Sequence, residues 1–199
     1  MAQALVDLVK QRFSDAVLAT HAQYGDETLI VAPESWHAIH KFLRDDPRAS
    51  MNMLSDLTAV DYPDREPRFE VVSHLYSLEK GHRLRLKTLV GDEDGEVVEV
   101  GSLTDLWASA NWMERECFDL LGVTFTGHPD LRRILMYPEF VGHPLRKDYP
   151  ADQIQPLVAY REVDNTEKVA PFGRDEGMSF GRQTHTRWGA QRSSDSDES

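Results

Sequence analysis

The chain has 199 residues, of which 40% are hydrophobic and 28% charged. That suffices for one packed domain of ordinary size plus a tail and is too short for two full enzyme domains, since single cores usually organise roughly 100–200 residues. A balance of 22 basic against 34 acidic residues, net −12, argues against nucleic acid or anionic lipid as the main partner, because both need a basic footprint. The single cysteine, Cys117, excludes an internal disulfide, a thiolate zinc site and an iron–sulfur cluster held by this chain alone.

The first element is a short amphipathic helix, with Ala4, Leu5, Leu8, Val9 and Phe13 on one side. Its sequence, MAQALVDLVKQRF, has neither a signal-peptide core nor a transit pattern and reads as a cytosolic start. Residues 16–21 and 28–32 read as two short strands around Gly25-Asp26, and Trp36, Ile39, His40 and Leu43 are spaced for a second helix that Asp45-Asp46-Pro47 stops. Residues 51–62 fit either helix or strand. Residues 68–78 and 82–90 read as strands joined at Lys80-Gly81. In the second, Leu84, Leu86, Thr88 and Val90 alternate with Arg83, Arg85, Lys87 and Leu89, the pattern of a sheet covered on one face. Another turn is expected at Asp94-Gly95 before a strand over 97–100. The predicted fold is α+β: a two-layer domain with helices packed on a mixed or mainly antiparallel sheet.

Ser102 looks like an N-cap and Gly122 suits the left-handed position after a helix, so one helix is expected over 103–121. At about 100° per residue, Leu106, Trp107, Ala110, Met113, Cys117, Phe118 and Leu121 form its core stripe. Glu114 falls in the middle of that stripe, where a carboxylate loses its hydration and needs a partner. Arg132 is the first choice for that partner and Arg133 the second. Trp112, Arg115, Glu116 and Asp119 fall on the opposite side, with Arg115 and Asp119 as i,i+4 neighbours. Trp107 is then core, and Trp112, a large aromatic facing solvent, suggests a protein partner.

From 122 to 150 the chain holds four Arg/Lys against three Asp/Glu, together with His128, His143 and four prolines: a locally basic ribbon in an acidic protein. The core domain is taken as 1–150. Residues 151–199, rich in Gly and Pro and ending in RSSDSDES, read as an extended partner-binding tail whose last ~10 residues are disordered. The tail's scattered apolar residues are anchors, with Tyr160, Phe172 and Trp188 the expected hot spots.

Glu114-Arg115-Glu116, then Asp119-Leu120-Leu121, six residues, and His128-x-x-x-Arg132-x-Ile134 together resemble the signature of the C subunit of respiratory NADH:quinone oxidoreductase, complex I. The segment Gly142-His143-Pro144-Leu145-Arg146-Lys147-Asp148-Tyr149-Pro150 is similar to the stretch that closes that family's domain. The resemblance implies a non-catalytic peripheral-arm subunit with no cofactor of its own, docked on the D and B subunits where the last cluster meets quinone. The complex as a whole is expected to hold FMN, iron–sulfur clusters and quinone and to couple electron transfer to proton translocation. It also implies a peripheral membrane protein on the cytoplasmic face of a bacterial inner membrane, held through other subunits. On this reading Glu114, Arg115, Glu116, Asp119, His128 and Arg132 are structural signature residues. Trp112, Arg115, His143, Arg146, Lys147, Tyr160, Phe172 and Trp188 are interface candidates.

Two other readings stand beside it. One is the equivalent subunit of a membrane-bound hydrogenase; the other is a stand-alone metal-dependent hydrolase using His128, Asp130, His143 and Asp148, since imidazole and carboxylate suit zinc or manganese. Against the hydrolase, no spacing puts two ligands on one helix face, and histidines before proline are commonly turn residues bonded to main chain. Glu114 and Glu116 lie about 200° apart around the helix and cannot form an acid–base pair. Cys117 reads as a small buried hydrophobe. The cations Arg83, Arg85 and Lys87 are either solvated or in contact with an acidic neighbour.

Overall fold

The computed structural model describes residues 2–91 and 98–158. Helix α1 (Ala2–Arg12) leads into the antiparallel pair β1 (Val17–His21) and β2 (Thr28–Val31), followed by α2 (Trp36–Asp45). Three longer strands come next: β3 (Met53–Asp61), β4 (Phe69–Tyr76) and β5 (Arg83–Val90). After β6 (Glu99–Gly101) come α3 (Ala110–Leu121) and β7 (Thr124–Thr126).

The main sheet has five strands in the order β1-β2-β5-β4-β3 and is mixed: β2 runs parallel to β5 and every other neighbouring pair is antiparallel. One face carries Leu29 and Val31, then Leu84, Leu86 and Thr88, Phe69, Val71 and Leu75, and Leu54 and Leu57, all buried. It packs in one core with Leu5, Val9, Ile39 and Leu43 of the first two helices. The period-two alternation of β5 is what buries Leu84, Leu86, Thr88 and Val90 while leaving Arg83 exposed. Its remaining cations meet acids of their own chain, Lys87 with Glu70 at 2.6 Å and Arg85 with Asp26 at 3.4 Å. The ambiguous stretch 51–62 is edge strand β3, and its register slips between Leu54 and Asp56. That bulge interrupts the alternation on which a sequence reading depends.

The helix expected over 103–121 is shorter than its stripe suggests, because α3 begins only at Ala110. The cause is Glu114. Its two oxygens accept the Leu103 N–H at 2.6 Å and the Ser102 hydroxyl at 2.7 Å. Along a straight helix, residues 103 and 114 stand about 16 Å apart. Segment 103–109 therefore folds back as turns, with the Leu106 and Trp107 N–H groups both donating to the Leu103 carbonyl. Within α3 the stripe holds for Ala110, Cys117 and Leu121, which are buried, while Met113 and Phe118 are half-buried; Leu103, Leu106 and Trp107 are buried from the turns rather than from a helix. Ser102 is tied to Glu114 and Thr104 and does not cap a helix. The turn expected at Asp94-Gly95, the anchors Tyr160, Phe172 and Trp188 and the disordered end lie outside the described residues.

Candidate functional site

The last four carbonyls of a helix have no partner within it, and α3 shows where they find theirs. The Gly122 N–H closes on the Phe118 carbonyl. The Asp119 carbonyl accepts from His143 Nδ1 at 3.0 Å and Arg133 Nη1 at 3.2 Å. The Leu145 N–H donates to Leu120 O at 3.0 Å, and Arg146 Nε to Leu121 O at 2.7 Å. Three of the four carbonyls are thus met from the ribbon after the helix, and the two guanidinium groups also sit at the negative end of the helix dipole. Gly122 makes the approach possible. Its φ is +77°, and a Cβ there would lie 2.5 Å from Arg146 Nη2 and 2.7 Å from the His143 ring.

Asp119 fastens the same ribbon from its side chain. Helical angle puts it on the open face, yet it is fully buried, because the ribbon folds over it. Oδ1 takes Arg133 Nη1 at 2.7 Å, and Oδ2 takes the consecutive N–H groups of Ile134, Leu135 and Met136 at 3.0, 2.7 and 2.8 Å. Burial alone would push this carboxyl up. The Met136 N–H, the Arg133 guanidinium and the Leu135 and Ile134 N–H groups together hold it below its ordinary value.

Arg115 does not pair with Asp119. It donates to the carbonyls of Arg132 at 3.1 Å and Arg133 at 3.2 Å, with its guanidinium 5.8 Å from the Trp112 ring centre. His128 joins the same region: its Nδ1 accepts the Asp130 N–H at 3.0 Å, so Nε2 is the nitrogen that donates to Asn111 O at 3.3 Å. Helix and ribbon are thus joined at three successive places on α3, Asn111, Arg115 and Asp119.

The expected Glu114 partners are elsewhere. Arg133 belongs to Asp119, and Arg132 makes an exposed pair with Asp130 at 3.0 Å. Glu114 is satisfied by two neutral donors, and burial pushes it up from 4.5 to about 7 even though the Leu103 N–H and the Ser102 hydroxyl pull it down. A second knot, which sequence reasoning missed, holds the far end of the ribbon. Asp61 at the end of β3 takes Arg68 through both oxygens at 2.6 and 2.7 Å and the Lys147 N–H at 2.7 Å, while Arg68 also reaches Asp148 at 2.9 Å. The pairing of Asp61 and Arg68 across seven residues is visible in the sequence as charge but not as contact.

His143 and Arg146 are half-buried and point into this network, whereas the Lys147 side chain is exposed. Neither His128 nor His143 has both ring nitrogens free, and among the described residues no three His, Cys, Asp or Glu side chains gather as metal ligands. Cys117 does not suit a cluster either: burial pushes its thiol up to about 12, and it donates to Leu57 O.

Among the charged side chains that the network presents outward stand large apolar ones. Trp112 is 66% exposed, and Leu135, Tyr137, Val141, Leu145, Ile154, Leu157 and Val158 are exposed along the ribbon and just beyond it. Eight of the twelve exposed large hydrophobic residues of the described chain therefore lie on this helix or in 135–158, on a segment held by buried carboxylates. Large apolar side chains exposed together on one segment mark a protein contact.

Residues 29–155 match the family described as the respiratory-chain NADH dehydrogenase, 30 Kd subunit. The chain belongs to that family. It is 40% identical over 183 residues to the NADH-quinone oxidoreductase C subunit of Cereibacter sphaeroides, covering 86% of this chain and 90% of that protein. The C subunit from Roseiflexus castenholzii is 49% identical over 161 residues, covering 81% and 90%, and that of Thiobacillus denitrificans is 39% identical over 199 residues, covering 90% and 97%. Among solved structures, a chain of the membrane-bound sulfane sulfur reductase, an archaeal respiratory membrane complex, superposes with a TM-score of 0.61 at 24% identity, over 75% of this chain and 86% of that one. That likeness concerns the fold. The α3 signature and the whole ribbon to Pro150 lie inside the family match.

Proposed function

We propose that the chain is a non-catalytic peripheral-arm subunit of a proton-translocating NADH-quinone oxidoreductase, docked on the D and B subunits and holding the quinone-reducing module together. The observation that carries this is the ribbon itself: an irregular segment with exposed apolar side chains, fixed along its middle by Asp119 and at its far end by Asp61 and Arg68. Electron transfer from NADH through FMN and iron–sulfur clusters to quinone belongs to its neighbours, since the one thiol of this chain is buried and protonated. None of the described helices is long and apolar enough to cross a membrane. In this proposal other subunits hold the chain on the cytoplasmic face of a bacterial inner membrane.

The segment beyond 150 extends the same surface. Gln155 exchanges hydrogen bonds with the main chain of Val141 and reaches the Tyr149 hydroxyl. The rest of 151–199 is proposed to serve as a partner-binding arm, its ordering entropy met by binding. The test is affinity isolation of the tagged chain from detergent-solubilised native membranes. The D and B subunits should accompany it, with iron–sulfur signals in the isolated complex. Isolation without them, or NADH oxidation by the purified chain alone, would refute the assignment.

A further inference from the structure

Helix α3 lies along β3, an edge strand of the main sheet. Between them runs a groove of about 240 Å³. Its floor is Leu57, Cys117 and Leu121, all buried, and Leu145 of the ribbon forms a wall that is 53% exposed. Asp56 of β3 and Glu116 of α3 stand at the rim, both exposed, and among the described residues neither has an ion pair or a side-chain hydrogen bond. Both carboxylates, after burial itself, act on the Cys117 thiol at the floor, so their fields converge in the groove.

Size and edge chemistry limit what can enter. The groove is smaller than the roughly 300–1,000 Å³ of cofactor and small-molecule sites, and it suits one long side chain. Full pairing of a foreign strand along β3 is obstructed, because Ser109 Oγ and Cys117 Sγ already reach the Leu54 and Leu57 carbonyls at 3.4 and 3.7 Å. An apolar trough with two carboxylates at its mouth is complementary to a side chain with an aliphatic stem and a cationic fork. The groove also continues along α3: Glu116 and Leu120 follow Trp112 at four-residue steps, on one side of the helix.

We propose that this groove receives an arginine side chain from an extended segment of an adjoining subunit, its stem on Leu120 and Leu145 and its guanidinium between Asp56 and Glu116, with an apolar neighbour over Trp112. This rests on the chain working inside the complex and names one contact by which it does so.

The test places the photo-reactive residue benzoylphenylalanine at Thr58, an exposed position lining the groove from β3, in cells that assemble the complex. Irradiated membranes are solubilised, the subunit composition is recorded, and the cross-linked peptide is sequenced. The expected peptide comes from another subunit and carries an arginine within about two residues of the attachment point, given a residue spacing of about 3.3 Å in extended chain. Glu116→Arg and Asp56→Arg should each lower recovery of the chain with the complex by about tenfold or more, with Glu116→Gln in between. Reversing the identified arginine to Glu should restore the Glu116→Arg variant. A cross-link to a second copy of this chain or to a segment without arginine would overturn the groove contact, as would an unoccupied Thr58 in a complex with all its subunits. In each of those cases the D and B subunits still co-purify, which keeps this failure separate from failure of the proposed function; if they do not, the proposed function fails as well.

Discussion

Two buried carboxylates on α3, five residues apart, do opposite jobs. Glu114 faces the body of the domain, accepts two neutral donors from residues 102 and 103, and is driven upward to about 7. Asp119 faces the ribbon, accepts a guanidinium and three N–H groups, and is held down despite burial. Both are closed to solvent, yet Glu114 lies deeper in the domain and meets two neutral donors, while Asp119 lies nearer the surface and meets four donors, one of them charged. Depth and donors together decide whether a carboxylate is kept ionised. In this helix the ionised one carries the outward surface and the more protonated one carries the inner turn.

The largest effect is expected where the ionised member is removed. Asp119→Ala removes the counter-charge of Arg133, leaves three ribbon N–H groups without their acceptor and should cost about 3–5 kcal/mol, the range for breaking a buried pair by deleting one partner. Amide exchange should quicken specifically at 134–136. Unchanged protection of those three amides would mean that the ribbon is held by the carbonyl caps alone. Acid should reproduce the loss in the parent chain. Because the Asp119 pKa is lowered on folding, its contribution is present above the unfolded value of 3.8 and disappears as pH falls through the still lower folded value.

Glu114 should respond to pH in the opposite sense. Its folded pKa lies above its unfolded one, so the folded state binds more protons between 4.5 and about 7, and stability falls as pH rises through that window. The slope is at most about 1.4 kcal/mol per pH unit. Glu114→Gln keeps an acceptor for Leu103 and should flatten this slope in denaturation curves at pH 5, 6 and 7. Glu114→Ala strands the Ser102 and Leu103 donors and opens a cavity, at about 2–4 kcal/mol. An identical pH slope in the parent and Gln variants would show that Glu114 is ionised throughout and that the contrast with Asp119 is false.

Smaller again is the effect at the joint between helix and ribbon. Gly122→Ala places a Cβ against Arg146 and His143 in a left-handed conformation, and about 1–2 kcal/mol is expected from the strain and the displaced cap. Double-mutant cycles with Arg146→Ala should show strong coupling. Independence of the two would mean that Arg146 can reach Leu121 O by another path.

How much of this is legible in the sequence depends on whether the relevant order is local. The alternation of β5, the stripe that buries Cys117 and Leu121 and the left-handed Gly122 are properties of short windows, and the structure shows each where the sequence places it. The start of α3 is not legible, because the interaction that breaks the helix spans eleven residues and saturates the donors at 102 and 103. Asp119 falls on the wrong side of the burial boundary for a related reason. Angular position on a helix reports what the helix itself buries, not what a later irregular segment lays over it. The expected partners of Glu114 fail through an assumption about charge: a buried acid can be satisfied by neutral donors, and Arg133 is better placed for the carboxylate five residues further down the helix.

The smallest effect on the fold is expected at Arg132, and its smallness separates main chain from side chain within the signature. Helix α3 uses the Arg132 carbonyl, to which Arg115 donates at 3.1 Å, and that carbonyl survives any substitution. Among the described residues the Arg132 side chain pairs with Asp130 alone, and the two side chains are 71% and 62% exposed; such pairs contribute under about 1 kcal/mol. Arg132→Ala should therefore melt within a degree or two of the parent chain, while Arg115→Ala, which removes the donor to two ribbon carbonyls, should not. Since the exposed guanidinium lies on the same ribbon as the exposed Leu135, its loss should show in retention of the chain by the complex, read as recovery of the other subunits after a salt wash. A large fall in melting temperature with Arg132→Ala would instead assign the side chain to the internal network, and the division between an inward-held main chain and outward-facing side chains would fail at that residue.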